Sequence, residues 1–280
     1  MKLRGLCSET ARNVGTGTTK AAVWTLTAAA VLVLLSTADV LVIRQIETDM
    51  DVFRSGVADV SKLVAAEHVD GAVCDRLSET ATIEGSGAVR EAVPLIVNES
   101  PNVAMATFEV SLGLASILGL DSPDPFGVWI ENELASALMV EQGGSLSTPN
   151  GPMTVAGVFA WPNDGRDARF GFSVLVPISS SEQFDECWVR AWPFTDETSH
   201  IQRSVVTVSS DQGPAVVAQL NNSLGTAFDP NRLYRERVTR HSLWVAPIVV
   251  GAIGFVAVWR RVKVGNRGRA VLSSWVEREL

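Results

Sequence analysis

A chain of 280 residues is long enough to bury a core without metal or disulfide staples, which excludes a mini-protein. Hydrophobic residues make up 46% and charged residues 19%, with a mean hydropathy of +0.20, too apolar for a disordered chain. The formal net charge of −8 argues against a nucleic-acid partner.

Residues 1–20 form a basic tail, with Lys2, Arg4, Arg12 and Lys20 against Glu9. Its GTGTTK stretch is only superficially like a phosphate loop. It lacks a glycine directly before Lys20 and opens an apolar run, not a strand-to-helix turn. Residues 21–43, AAVWTLTAAAVLVLLSTADVLVI, carry one charge, Asp39, and are long enough as a helix to cross about 30 Å of hydrocarbon. A cleaved secretory signal is the alternative, because Ser36 and Ala38 suit a small-residue cleavage site. Asp39 lies near the outer end of the run, where snorkelling to the interface is the simplest expectation.

Residues 44–241 read as a folded domain. Ala58–Glu67 alternates like a strand, and Asp70 before Gly71 suits a helix N-cap ahead of Val73, Cys74 and Leu77. A strand pair is predicted from Gly85 to Val97, then a strand over Val103–Val110. Within 122–190 the expectations are a strand at Val128–Ile130, a helix over ENELASALMV ended by Gly143 and Gly144, and a hairpin turning at Pro149, Asn150 and Gly151. Strands follow at Phe170–Pro177 and Cys187–Trp192. IQRSVVTVSS then reads as a strand, DQGPAVVAQLNNSLG as turn and helix, and the chain from Pro230 as one helix running unbroken into the next apolar segment. The predicted class is α+β: antiparallel strands with short helices in two lobes, with a possible inserted lobe over 122–190.

Residues 242–260 contain a second apolar run, LWVAPIVVGAIGFVAVW, with Trp244 and Trp259 at its ends like interfacial anchors. Residues 261–280 complete a second basic tail, and VLSSWV near its end predicts a short amphipathic turn on the inner membrane surface. The tails are net positive, whereas Arg44–His241 carries thirteen Lys/Arg against twenty-seven Asp/Glu. The positive-inside rule therefore predicts a two-pass protein of the cell membrane, with both termini cytoplasmic and the acidic domain outside. On that topology Cys7 lies inside while Cys74 and Cys187 share an oxidising compartment, which predicts a Cys74–Cys187 disulfide, with two buried free thiols as the alternative.

No HExxH, GxSxG or paired CxxC is present, and His68, His200 and His241 are isolated in sequence. Asp164, Asp167, Asp185 and Glu186 read as a solvated acidic face. No catalytic, cofactor or metal site is predicted, and the chain is not read as an enzyme.

GVWIENELASALMVEQGGSLSTPNGPMTVAGVF, residues 127–159, resembles the extracytoplasmic domain of ABC-transporter permeases of the macrolide-exporter and FtsX type: a valine-rich strand, a helix with Leu-Ala, glycines, then a hairpin. The order of parts agrees up to Trp259. The resemblance implies a permease-like membrane component of an export or mechanotransmission system without ATPase activity of its own, working with a separate cytoplasmic ATPase subunit. Such a permease has four spans, and this chain ends about twenty residues after its second apolar run. The missing spans then come from a multi-span permease partner, or the chain is an accessory subunit. A two-span sensor or adhesion module unrelated to transport is the alternative function.

Overall fold

The computed structural model describes residues 21–121, 124–193, 196–207, 215–225 and 228–276. The chain divides into two compact units, residues 49–229 and residues 1–48 with 230–280. The basic N-terminal tail, with its GTGTTK stretch and Cys7, lies outside the described residues.

In the domain, residues 49–229, the described strands form a ten-stranded sheet. They are β1 (Val60–Asp70), β2 (Ile83–Glu91), β3 (Leu95–Ile96), β4 (Ala104–Val110), β5 (Val128–Glu131), β6 (Ser145–Thr148), β7 (Gly151–Phe159), β8 (Ser173–Pro177), β9 (Gln183–Ala191) and β10 (Val216–Gln219). Their spatial order is β10-β1-β9-β2-β4-β8-β5-β7-β6, with β3 paired to β4. The α+β class follows from this sheet and its short helices. Most pairings are antiparallel, but β4 with β8 and β5 with β7 run parallel.

The β4–β8 pairing joins the two halves that the sequence suggests as lobes, so the sheet continues across them. Residues 183–190, inside the expected inserted lobe, form most of β9, the strand between β1 and β2. β2 and β3 are not a pair. β2 adds to β4 and β9, and β3 lies on the far end of β4.

Short helices follow local capping logic. In α1 (Ala21–Ser55) the helix continues through the polar stretch after Glu47. α2 (Gly71–Arg76) starts at Asp70, whose carboxylate accepts from the amide of Val73 at 3.0 Å. α3 is Leu114–Leu118. α4 (Asn132–Ala137) is shorter than its apolar spacing suggests. Met139 takes a left-handed conformation, φ +53°, and ends the helix before Gly143 is reached. The Glu131 carboxylate caps its start by accepting from the amides of Glu133 and Leu134.

Two expectations are altered. α5 (Asp196–Arg203) takes up Ile201–Arg203, the first three residues of the expected strand, of which Val206 still bridges to Val69, and Val216–Gln219 is β10 where the sequence suggests a helix. Gln202 decides the first. Buried on α5, it donates to the Cys187 carbonyl at 2.9 Å and accepts from the Ser61 hydroxyl at 2.8 Å, while Thr198 one turn earlier is also buried. The open edge of β1 decides the second, because it offers backbone partners over Ser61–Val64 to the β-branched Val216 and Val217. Residues 208–210, the end of the expected strand, lie outside the described residues.

Three groups of buried side chains fill the faces of the sheet. The central one is aromatic: Phe170 stacks on Trp188 with ring centroids 4.8 Å apart, and Trp161 stacks on Trp188 at 6.0 Å. A second surrounds Leu63, Phe184 and Val189 beneath α2. A third lies around Ile130, Leu134 and Val155. Cys74 of α2 and Cys187 of β9 are bonded in the second group, both fully buried, with Cα atoms 5.9 Å apart.

The other unit contains the apolar part of α1, α6 (Pro230–Glu236), a 3₁₀ turn at Val238–His241, and α7 (Ser242–Val276). Among the described residues one helix, Ala22–Ser55, is long and apolar enough to cross a membrane, and Trp244–Arg260 is a shorter apolar stretch. The expected continuous helix from Pro230 is interrupted. Arg237 has φ −57° and ψ +132°, an extended conformation that ends α6. The helical turn expected near the C-terminus falls within α7, which continues to Val276.

The disulfide joins residues 113 positions apart, so closing that loop removes much denatured-state freedom. Replacing both Cys74 and Cys187 with alanine is expected to lower domain stability by about 4 to 5 kcal/mol, the chain-entropy value. Denaturant unfolding of the oxidised protein and the double variant measures the difference.

Candidate functional site: the joint at the end of the first helix

A helix leaves its last carbonyls without intrahelical donors, and at the C-terminus of α1 the domain supplies them. The amide of Ala58 bonds to the carbonyl of Phe53 at 3.1 Å and that of Val57 to Arg54 at 3.0 Å, a Schellman pattern. The residue at its left-handed position is Val57, with φ +48°, where glycine is the ordinary choice. A β-branched residue there stores roughly 1 to 2 kcal/mol of strain. Burial of its side chain in the aromatic core offsets that cost.

The carbonyls of Ser55, Gly56 and Ala58 are taken by side chains from far along the sequence. Arg166 donates through Nη2 to Ser55 O at 3.1 Å, and Asn221 through Nδ2 to Gly56 O at 2.8 Å. Gln219 donates through Nε2 to Ala58 O. Each donor is itself held. Arg166, with only 6% of its side chain exposed, is gripped by the Asp164 carboxylate at 2.8 and 2.6 Å and lies over the Trp161 ring at 5.0 Å. Asn221 is fully buried and accepts from the Ser223 amide and hydroxyl. On the other face of the helix, Phe53 stacks on Phe228 at 5.3 Å and tilts against Trp192 at 6.0 Å.

Asp59 sits at the centre with its side chain 1% exposed. Arg190 Nε lies 3.4 Å and Arg54 Nε 3.6 Å from its Oδ2, and among the described residues no side chain hydrogen-bonds either carboxylate oxygen. Burial pushes this carboxyl above its ordinary value, against the pull of Arg190 and Arg54. Arg190 also donates to the carbonyls of Ser116 and Ile117 at the end of α3, and Arg54 pairs with Glu84 and covers Trp192. These groups line a cavity of about 470 Å³ with Trp161 and Pro162. Its three arginines are all engaged in internal contacts, so the chemistry they perform is bracing.

A second network lies beside it. Lys62 and Arg169 both bind the Asp167 carboxylate, Arg169 continues to Glu186 at 2.9 Å, and Glu186 accepts from Trp188 Nε1 at 2.8 Å. Although burial alone would raise it, hydrogen bonds from Arg169 and Lys62 hold the Asp167 carboxyl far below the usual carboxylate range. Half-buried Asp167 and buried Glu186 are therefore parts of an ion-pair network and not the solvated acidic face expected of them, whereas Asp164, which holds Arg166, is exposed as expected. Asp185 accepts from the amides of Glu67 and Glu91.

The other residues singled out in the sequence do not converge. Among the described residues no group of three or more His, Cys, Asp or Glu is placed to hold a metal ion. His68 lies in β1 with Nδ1 2.6 Å from Ala66 O, His200 lies in α5, and His241 ends the 3₁₀ turn. Asn221, Arg166 and Asp59, which make the joint, carry no sequence signal, because their partners lie 165, 111 and 131 positions away.

No family model matches the sequence, and no curated protein matches it. Among solved structures the chain is similar to the periplasmic region of MacB from Actinobacillus actinomycetemcomitans, with 9% identity, a TM-score of 0.43, and coverage of 61% of this chain and 94% of that one. It is also similar to a domain of a protein described as a permease from Porphyromonas gingivalis, with 13% identity, a TM-score of 0.39, and coverage of 64% and 95%. A third is the extracellular domain of the noncanonic ABC-type transporter YknZ from Gram-positive bacteria, with 11% identity, a TM-score of 0.40, and coverage of 58% and 100%.

Folding shifts the carboxyls of buried Asp59 and half-buried Asp167 in opposite directions. The Asp167 carboxyl is lowered on folding, so its stabilisation is present above the unfolded value near 3.9 and is lost as pH falls through the native value. The Asp59 carboxyl is raised, so stability declines as pH rises from near 3.9 through its native value. Asp167→Asn is expected to cost about 2 kcal/mol at pH 7 and progressively less in acid. Asp59→Asn is expected to remove the decline above pH 4. Denaturant midpoints of both variants between pH 3 and pH 7 measure this.

Proposed function

We propose that this chain is a permease-like membrane component of an ABC-type export or mechanotransmission system, with no ATPase activity of its own and a separate cytoplasmic ATPase as partner. The observation that carries the reading is the joint. An apolar helix long enough to cross a membrane enters the domain without interruption. Its final carbonyls, Ser55 O and Gly56 O, are then held by Arg166 and Asn221, and the carbonyl of Ala58 just beyond it by Gln219, all from distant parts of the chain. A tether needs no such grip. An element that transmits displacement between helix and domain does, because a slack connection dissipates the motion.

Three further features support the same reading. The second apolar stretch, Trp244–Arg260, is followed by a basic segment, as the first is preceded by one, which favours two passes with the acidic domain outside. The buried Cys74–Cys187 bridge suits an oxidising compartment. Residues 127–159 carry the strand, short helix and hairpin pattern by which the sequence resembles such permeases.

Affinity purification of the full chain from detergent-solubilised membranes, with identification of what accompanies it, is the test. A nucleotide-binding ATPase subunit is the expected companion, with ATPase activity in the complex and none in the isolated chain. Repeated recovery of the intact, disulfide-bonded chain with no such subunit overturns the reading and favours a sensor or adhesion module.

A further inference from the structure

Asp39 is the single ionisable residue of the apolar run 21–43. A carboxylate is costly in the hydrocarbon of a bilayer and less so toward an interface, so in such a helix it either snorkels or finds a partner. Here it has a partner from far along the chain. Arg237 donates through Nε to Asp39 Oδ1 at 3.1 Å, with 13% of the Arg237 side chain and 26% of that of Asp39 exposed.

The arginine is pre-positioned for this contact. Its guanidinium carbon lies 3.7 Å from the centroid of the Tyr234 ring, and Nη1 donates to the Tyr234 carbonyl at 2.8 Å. The extended backbone at Arg237, between α6 and the 3₁₀ turn, is the same interruption that ends the expected continuous helix. Three constraints therefore fix one side chain: a backbone break, a ring beneath it and a carbonyl beside it. Nε remains to bind the carboxylate of the other apolar helix.

We propose that Asp39 and Arg237 form an ionic latch that holds the segment entering α7 against α1, and that this pair must open whenever the outer ends of the two apolar helices separate. The latch rests on the reading of both helices as membrane spans. It differs from a surface ion pair, whose long side chains lose most of the gain to ordering and screening, because Arg237 is ordered before it meets Asp39.

The test is amide hydrogen exchange over residues 230–243 of the full chain in lipid nanodiscs. Asp39→Asn and Arg237→Gln are each expected to speed exchange of the 3₁₀ turn about tenfold, and the double variant no more than either alone, the signature of coupled residues. Protection of β9 is expected to stay at the native level in all three, which separates latch opening from general unfolding. Unchanged exchange in the single variants, or an additive effect in the double, overturns the latch. Should Asp39→Asn also expose β9, Arg237→Gln and Arg237→Lys decide: loss with Gln and partial retention with Lys supports the pair, and equal behaviour overturns it. The membrane reading fails separately, if alkaline carbonate strips the wild-type chain from its membranes.

Discussion

The last turn of α1 has four carbonyl groups to satisfy, and in this protein it ends in the domain with Phe53, Gly56 and Val57 buried and Val52 and Ser55 exposed. Much of the domain follows from that constraint. Arg166 and Asn221, a bridged pair of residues on neighbouring segments, must stand beside the end of the helix, and Asp164, Trp161 and Ser223 must hold them there. Val57 accepts a left-handed backbone so that the chain can turn from the helix into β1 at once while its side chain enters the aromatic core. The helix end, the edge of the sheet and the central core are one packed object.

Charge is used twice in this object, in opposite ways. Around Asp167 the geometry is complete: Lys62 and Arg169 both reach the carboxylate, and folding favours its ionised form. Around Asp59 it is incomplete, since two guanidinium groups approach without hydrogen-bonding the oxygens and burial disfavours the charge. A buried ion pair without good geometry contributes little net stability, whereas losing one of its members leaves an uncompensated charge. Asp59 is thus placed where a small displacement of Arg54 on the helix changes the balance.

Local chemistry in the sequence is legible where a short rule applies. Asp70 before Gly71 caps α2, the Pro149–Gly151 turn joins β6 to β7, and the apolar run from Ala21 forms a helix. Length and periodicity mislead where tertiary contacts decide. IQRSVVTVSS alternates like a strand, yet its start is helical because Gln202 finds buried partners on β1 and β9. VVAQ, read as helix, becomes a strand because β1 has an open edge. Arg166 and Arg169 stand two residues from Asp164 and Asp167 in the sequence, but only folding brings Lys62 to Asp167 and Glu186 to Arg169.

The sequence by itself determined the apolar helix, the excess of acid between two basic tails, the cysteine pair and the mixed α+β class. Composition, length and nearest-neighbour rules suffice for each of these. The tertiary structure alone decided the parallel joins at the centre of the sheet, the interruption at Arg237, the pairing of Asp39 across 198 positions and the grip on the end of α1. These depend on which distant donor reaches which acceptor. Separation along the chain carries no information about that distance in space.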